Sequence, residues 1–175
     1  MARILDVEPL TSESFAPFGD VIETAGAETL LINEGTTQRF HDLAAIDVGA
    51  DGGHPITSIF RGQTRFTKTG DVIEIKMMER HPLGTQAFYP LQDHPYLVVV
   101  APVASGVLPT DLRAFRANGN QGVNYKRDLW HHPLLVLADG HEFLVIDRGG
   151  LGDNSVEHCF SLDQGIARIN LTPGD

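Results

Sequence analysis

The chain has 175 residues and a net charge of −10, with acidic side chains spread from end to end; it is long enough for one cored domain and offers no basic patch to neutralise phosphates. Nucleic acid is therefore not an expected partner, and neither is a membrane: the longest apolar runs, such as Tyr96 to Pro102, fall far short of the roughly 20 residues of a bilayer span, and "MARILDVEP" has no signal-peptide core. The lone Cys159 permits no internal disulfide, which fits a reducing cytoplasm, and is expected to be inert packing.

No repeat, low-complexity stretch or Pro/Gly/Ser-rich linker marks a boundary, so residues 1–175 are read as one domain. Near the N-terminus a hydroxyl of Thr11, Ser12 or Ser14 can cap a short helix in "ESFAPFG" before Pro17 and Gly19 end it. From there the pattern is of short apolar or alternating runs closed by Gly, Asp, Asn or Pro: "HPITSIFRG" (54–62), "DVIEIKMMER" (71–80), "TQAFYPL" (85–91) and "YLVVVAP" (96–102). "PTDLRAFRANG" reads either as a second short helix from Thr110 and Asp111 to Gly119 or, through "LRAF", as a strand. "PLLVLADG" and "HEFLVIDRGG" flank Asp139-Gly140, a pair that favours the positive φ of a tight turn and predicts a hairpin over 133–148. Many short strands and little helix point to an all-β sandwich or barrel.

The residues fit for chemistry gather in "EIKMMERHPLGTQAFYPL". Strand alternation puts Glu79 and His81 on one face and Arg80 on the other, toward solvent. Pro82, Leu83 and Gly84 form a turn, and Gln86 opens the next strand. A carboxylate, an imidazole and an amide from adjoining strands, met by a later histidine, could hold a divalent metal or bind a polar ligand directly. An inward Glu79 is the more telling member, because an unpartnered buried carboxylate costs several kcal/mol. The later histidine lies in "DLWHHPLL" (128–135), where alternation sends His131 and His132 to opposite faces, so only one can serve the site. His41 in "RFHDL" either orients Asp42, caps a turn or lines a pocket, and His54, His94, His141 and His158 are expected at the surface.

The spacing resembles the cupin superfamily, whose first motif runs His-x-His, four residues, then Glu, and whose second supplies another histidine. On that pattern Glu79 takes the first histidine position, His81 the second, Gln86 the glutamate position and His131 the last; Asp93 and Asp128 stand where the motif has glycine. Longer segments, "FGDVIE", "INEGTTQRFHDL", "ERHPLGTQAFYPL" (79–91), "NGNQGVNYKRDLWHHPL" (118–134) and "IDRGG" (146–150), resemble in order the cupin-like ureidoglycolate lyase family, also named ureidoglycolate hydrolase, over roughly residues 5 to 160.

That resemblance implies a cupin-like double-stranded β-helix, or jelly-roll barrel, with one or two short helices. It also implies a cytoplasmic homodimer that cleaves (S)-ureidoglycolate to glyoxylate and urea in allantoin and purine breakdown, with a divalent metal, usually nickel, and no organic cofactor. The expected catalytic residues are Glu79, His81 and His131. A metal would be held by His81, His131, Glu79 and Gln86, a mixed O and N set diagnostic of no single ion. Substrate binding falls to Arg61, Gln86, Tyr89, Lys126 and His41, with Arg61, Arg80 and Lys126 the candidate cations for the substrate carboxylate. By the motif His131 lines the pocket and His132 lies behind it. The alternatives within the same architecture are a metal-dependent isomerase or dioxygenase, and a non-catalytic barrel that binds small carboxylates.

Overall fold

In the computed structural model, residues 2–67, 72–102 and 106–171 are described. Two largely antiparallel sheets pack face to face. One runs Val156–Cys159, Met77–Arg80, Trp130–His131, Tyr96–Ala101, Arg113–Ala117, Val7–Pro9, with Leu135–Val136 also paired to Tyr96 and Leu97. The other runs Gly19–Ile22, Gly122–Tyr125, Gln86–Pro90, Glu142–Gly149, His54–Arg61. From Met77 onward the chain repeatedly crosses from one sheet to the other, the strand order of a jelly roll, so the all-β cupin-like expectation holds. No helix among the described residues is long and apolar enough to cross a membrane.

The apolar run "YLVVVA" is the central plank, buried on both faces. Tyr96, Val98 and Val100 point between the sheets with Phe88, Phe115, Tyr125, Leu129, Phe143 and Val145. Leu97, Val99 and Ala101 point the other way, onto Ile73, Ile75, Met78, Trp130 and Ile169 beneath a small third sheet of Arg3–Ile4, Ala167–Asn170 and Val72–Ile75. An uninterrupted apolar strand is what a position covered on both faces requires. At the edge of the barrel, Thr11 caps the helix Ser12–Phe15 as its sequence predicts, in a reciprocal pair with Ser14, and drops Phe15 into the core against Phe115, with ring centroids 5.6 Å apart.

Several sequence expectations are corrected. The run 71–80, of which Asp71 lies outside the described residues, is two strands, Val72–Ile75 and Met77–Arg80, broken at Lys76. The break shifts the alternation, so that Ile73 and Ile75 are buried on one side of it and Met78 on the other. "PTDLRAFRANG" is the strand reading: a 3-10 turn at Pro109–Asp111 precedes Arg113–Ala117. The hairpin over 133–148 does not form. Gly140 has the positive φ of 78° that its turn needs, but Leu135–Val136 pairs with Tyr96 and Leu97 while Glu142–Gly149 pairs in the opposite sheet with His54–Arg61 and Gln86–Pro90. The turn carries the chain between sheets, and Asp139 anchors it by accepting from the Thr64 amide and hydroxyl at 2.8 and 2.9 Å. Cys159 is exposed, not packed.

His141 is also misplaced by sequence reasoning: it is buried among Tyr96, His94 and Phe143, while His54 and His94 are exposed and His158 is half-buried. Burial, aided by His94, lowers the pKa of the His141 imidazole below its ordinary value. Its folded pKa lies below the unfolded value of about 6.5, so the unfolded chain takes up the proton first and stability falls as pH drops below that value. His141→Phe should therefore lose less thermal stability than the wild type between about pH 6.5 and 5, as read by melting temperature across that range; an unchanged slope would contradict the assignment.

Candidate active site

Register builds the site. His131 pairs with Val100 on one side and with Glu79 on the other, so both side chains project from the first sheet into the space between the sheets. Gln86 pairs with Tyr125 and projects from the second sheet toward them. His81 follows just after the Met77–Arg80 strand. Trp130, one residue from His131, goes to the opposite face, where Arg80 lies 4.8 Å above its ring and pairs with Asp128 at 3.1 Å. Arg80 thus faces away from Glu79 as alternation requires, though it is held by aromatic and carboxylate rather than free in water. Asp128 stands where the cupin motif has glycine and keeps the glycine-like conformation, φ 64°.

One side-chain donor atom each from Glu79, His81 and His131 lie within 4.8 Å of one another. His131 is 2% exposed; its Nε2 is 3.6 Å from the Glu79 carboxylate, and Tyr125 stacks on its ring at 4.3 Å. Each imidazole is oriented by a backbone carbonyl: His81 Nδ1 donates to Asn154 O at 2.6 Å and His131 Nδ1 to Leu129 O at 2.9 Å. A carbonyl accepts only, so Nδ1 carries a proton in both rings, and it is Nε2 that faces the site. Both Nε2 atoms and Gln86 Oε1 are buried without a partner. Three convergent orphaned acceptors beside a carboxylate are a donor set that fits a divalent cation. Gln86 is turned by its amide nitrogen, which donates to Asp147 at 3.4 Å.

The electrostatics follow from this packing. Burial alone would raise the Glu79 carboxyl, but the His131 imidazole beside it, helped by His81 and His132, leaves it below its usual value. Burial first, and His131 second, push His81 down. His132, also buried, is pulled down to about 4, chiefly by loss of solvent; its Nδ1 donates to Pro133 O at 2.7 Å and its amide to Val99 O. Burial and the charge of Glu79 keep the Tyr125 phenol well above its ordinary range, so it stays a donor.

Glu79 opens onto a pocket of about 510 Å³, otherwise lined by Phe60 to Arg65, Phe88, Pro133 and Leu134. Of the expected binding residues, Gln86 is brought to the site and Arg61 reaches the pocket mouth, but Arg61 is held by Glu142 at 2.5 Å. Three others are corrected. Tyr89 is out of phase with Gln86 and Phe88 and turns to the outside of the barrel, half-exposed. The Lys126 ammonium is spent on the Ala16 and Pro17 carbonyls, in another hollow that it lines with Ser12, Asp20 and Leu43. His41 lines a separate hollow with Glu23, Glu28 and Asp42. Sequence reasoning missed Tyr125, Asp147 and Arg65. Tyr125 and Asp147 lie inside quoted segments, and alternation from Gln86 across the sheet would have found Tyr125; Arg65 sits in an irregular stretch with no period to read. Arg65 makes no ion pair among the described residues and is the cation of this pocket left unengaged.

Comparison with known proteins gives the family. The protein-family model described as ureidoglycolate lyase matches residues 2–166. The chain is 51% identical to the ureidoglycolate lyase of Stutzerimonas stutzeri (strain A1501) over 162 residues, 93% of each chain. It is 55% identical to that of Burkholderia mallei (strain NCTC 10229) over 152 residues, 87% of this chain and 86% of the relative, and 55% identical to that of Brucella anthropi (strain ATCC 49188) over 157 residues, 90% of each. Among solved structures, RmlC from Streptococcus suis in complex with dTDP-D-xylose overlays with a TM-score of 0.44 at 10% identity, covering 87% of this chain and 74% of that one. The chain belongs to the ureidoglycolate lyase family.

Proposed function

We propose that the protein is a carbon–nitrogen lyase that splits (S)-ureidoglycolate into glyoxylate and urea in the cytoplasm, as a late step of allantoin breakdown. The observation that carries the reading is a partly buried carboxylate, Glu79, lining a pocket with the Nε2 of a buried histidine 3.6 Å away, in a chain of this family. Ureidoglycolate is a carbinolamide, whose central carbon bears a hydroxyl, a carboxylate and the urea nitrogen. Its cleavage moves one proton from the hydroxyl to the departing nitrogen as the carbonyl forms, and consumes no water.

Glu79, ionised at neutral pH, takes the hydroxyl proton. His131 presents Nε2 to the departing nitrogen, because Nδ1 is committed to Leu129, and relays to it the proton that Glu79, 3.6 Å away, has taken. Each transfer is worth about 10² to 10⁴ in rate. His81 and Gln86 align the polar end of the substrate, and Arg65 receives its carboxylate, since Arg61 is engaged by Glu142. Alternatively, His81, His131, Glu79 and Gln86 would hold a divalent cation, which when bound would lower the pKa of the substrate hydroxyl in place of proton transfer by Glu79 and His131.

We also propose that the protein works as one domain and as a homodimer without nucleic-acid or membrane partners. What supports the dimer is the eight-residue strand His54–Arg61, which among the described residues pairs on one side only and exposes Ile56 and Ile59. Long apolar edges of this kind are templates for a second strand, and a second copy offers an identical one across a two-fold axis.

With purified protein and (S)-ureidoglycolate, glyoxylate and urea should appear in equal amounts. Glu79→Gln and His131→Ala should lower kcat by at least about a hundredfold with the fold intact by circular dichroism, whereas His132→Ala should lower the melting temperature first. Ammonia released in place of urea would indicate hydrolase chemistry, and ligand binding without turnover would leave a carboxylate-binding barrel. By light scattering the wild type should be a dimer and Ile59→Lys a monomer; a monomeric wild type would overturn the dimer, and a dimeric variant would move the interface elsewhere.

A further inference from the structure

The pocket over Glu79 is larger and more apolar than ureidoglycolate can use. At about 510 Å³ it falls in the range of roughly 300–1,000 Å³ that holds drug-sized ligands, while ureidoglycolate is small and polar on every side. The lining combines the polar side chains of Arg61, Gln63, Thr64, Arg65 and Glu79 with the apolar ones of Phe60, Phe88, Pro133 and Leu134. Phe60 and Phe88 meet edge to face, with centroids 5.8 Å apart, and Phe60 remains 37% exposed beside the site. Nothing on ureidoglycolate would cover that ring, since its urea end needs hydrogen-bond partners that apolar carbons cannot give.

The proposed chemistry does not depend on the urea. It needs a hydroxyl, a carboxylate and an acylated nitrogen on one carbon, which any N-acyl-α-hydroxyglycine provides. In such a molecule the hydroxyl proton leaves, its electron pair forms the aldehyde carbonyl, the C–N bond breaks, and the nitrogen takes the proton. The products are glyoxylate and a primary amide, with no oxidant, reductant or water required. We infer that the site also cleaves N-acyl-α-hydroxyglycines carrying aromatic or branched apolar acyl groups, the acyl group lying against Phe60, Phe88 and Leu134. This rests on the lyase reading and widens its substrate class.

The test compares (S)-ureidoglycolate, N-acetyl-α-hydroxyglycine and N-benzoyl-α-hydroxyglycine on the same full-length protein, with glyoxylate measured above the uncatalysed rate and benzamide identified by chromatography. All three should be cleaved, with kcat/KM for the benzoyl compound at least about tenfold above that for the acetyl compound, the scale on which apolar pockets discriminate. Leu134→Glu should cut the benzoyl-to-acetyl ratio about tenfold, a comparison made within one protein sample and so independent of its stability. Cleavage of ureidoglycolate without cleavage of the benzoyl compound would overturn the inference and leave the lyase reading standing. So would a benzoyl-to-acetyl ratio near one that Leu134→Glu does not move. No glyoxylate from any of the three would remove both.

Discussion

The pairing of a two-residue strand, Trp130–His131, between Met77–Arg80 and Tyr96–Ala101 is the constraint on which the site depends. It places His131 opposite Glu79 and Val100, and the side-chain period of two then leaves no freedom: His131 enters the barrel and Trp130 leaves it. A slip of one residue would bring Trp130 into the site and turn His131 toward Met78 and Ile73. Such a slip is resisted from both faces, because Trp130 is already packed in the second core with Leu97 and Val99 and held under Arg80, while Leu129 fills the first.

The same packing prepares the chemistry. Two imidazoles, a carboxylate and an amide brought out of water would be costly if each lacked a partner. Backbone carbonyls at Asn154 and Leu129 take one nitrogen of each ring and leave the other facing inward. Asp147 takes the amide nitrogen of Gln86 and leaves its oxygen inward. The inward atoms remain unsatisfied; they are the part of the barrel poised for a ligand, and the apolar strands around them supply the rigidity that keeps them so.

Much of this was legible in the sequence where a period could be read. The alternation of Glu79, Arg80 and His81 follows from a repeat of two, and the apolar run "YLVVVA" is the strand its composition predicts. Reasoning failed where geometry is not periodic. Asp139-Gly140 carries the right local signal for a hairpin, yet the strands beside it find better partners in different sheets, a choice made by long-range pairing rather than by the turn. Lys126 and His41 belong to family-like segments, but each lines a hollow other than the one over Glu79, and nothing in residue type reports which hollow a loop will reach. His141 looked like a surface histidine beside a glycine turn, although it shares the inward phase of Phe143 and Val145 in the strand that follows.

The central claim is that the carbon bearing the hydroxyl sits over Glu79 and His131. The most direct measurement is a crystal structure of the protein grown with nickel and soaked with glyoxylate, with the anomalous signal recorded at the metal edge. The account predicts glyoxylate in the Phe88 pocket, its carbonyl oxygen within about 2.6–3.2 Å of Glu79 or His131, its carboxylate toward Arg65, and an anomalous peak among His81, His131, Glu79 and Gln86. Glyoxylate bound instead in the hollow lined by His41 or in that lined by Lys126, with Glu79 left uncontacted, would contradict it.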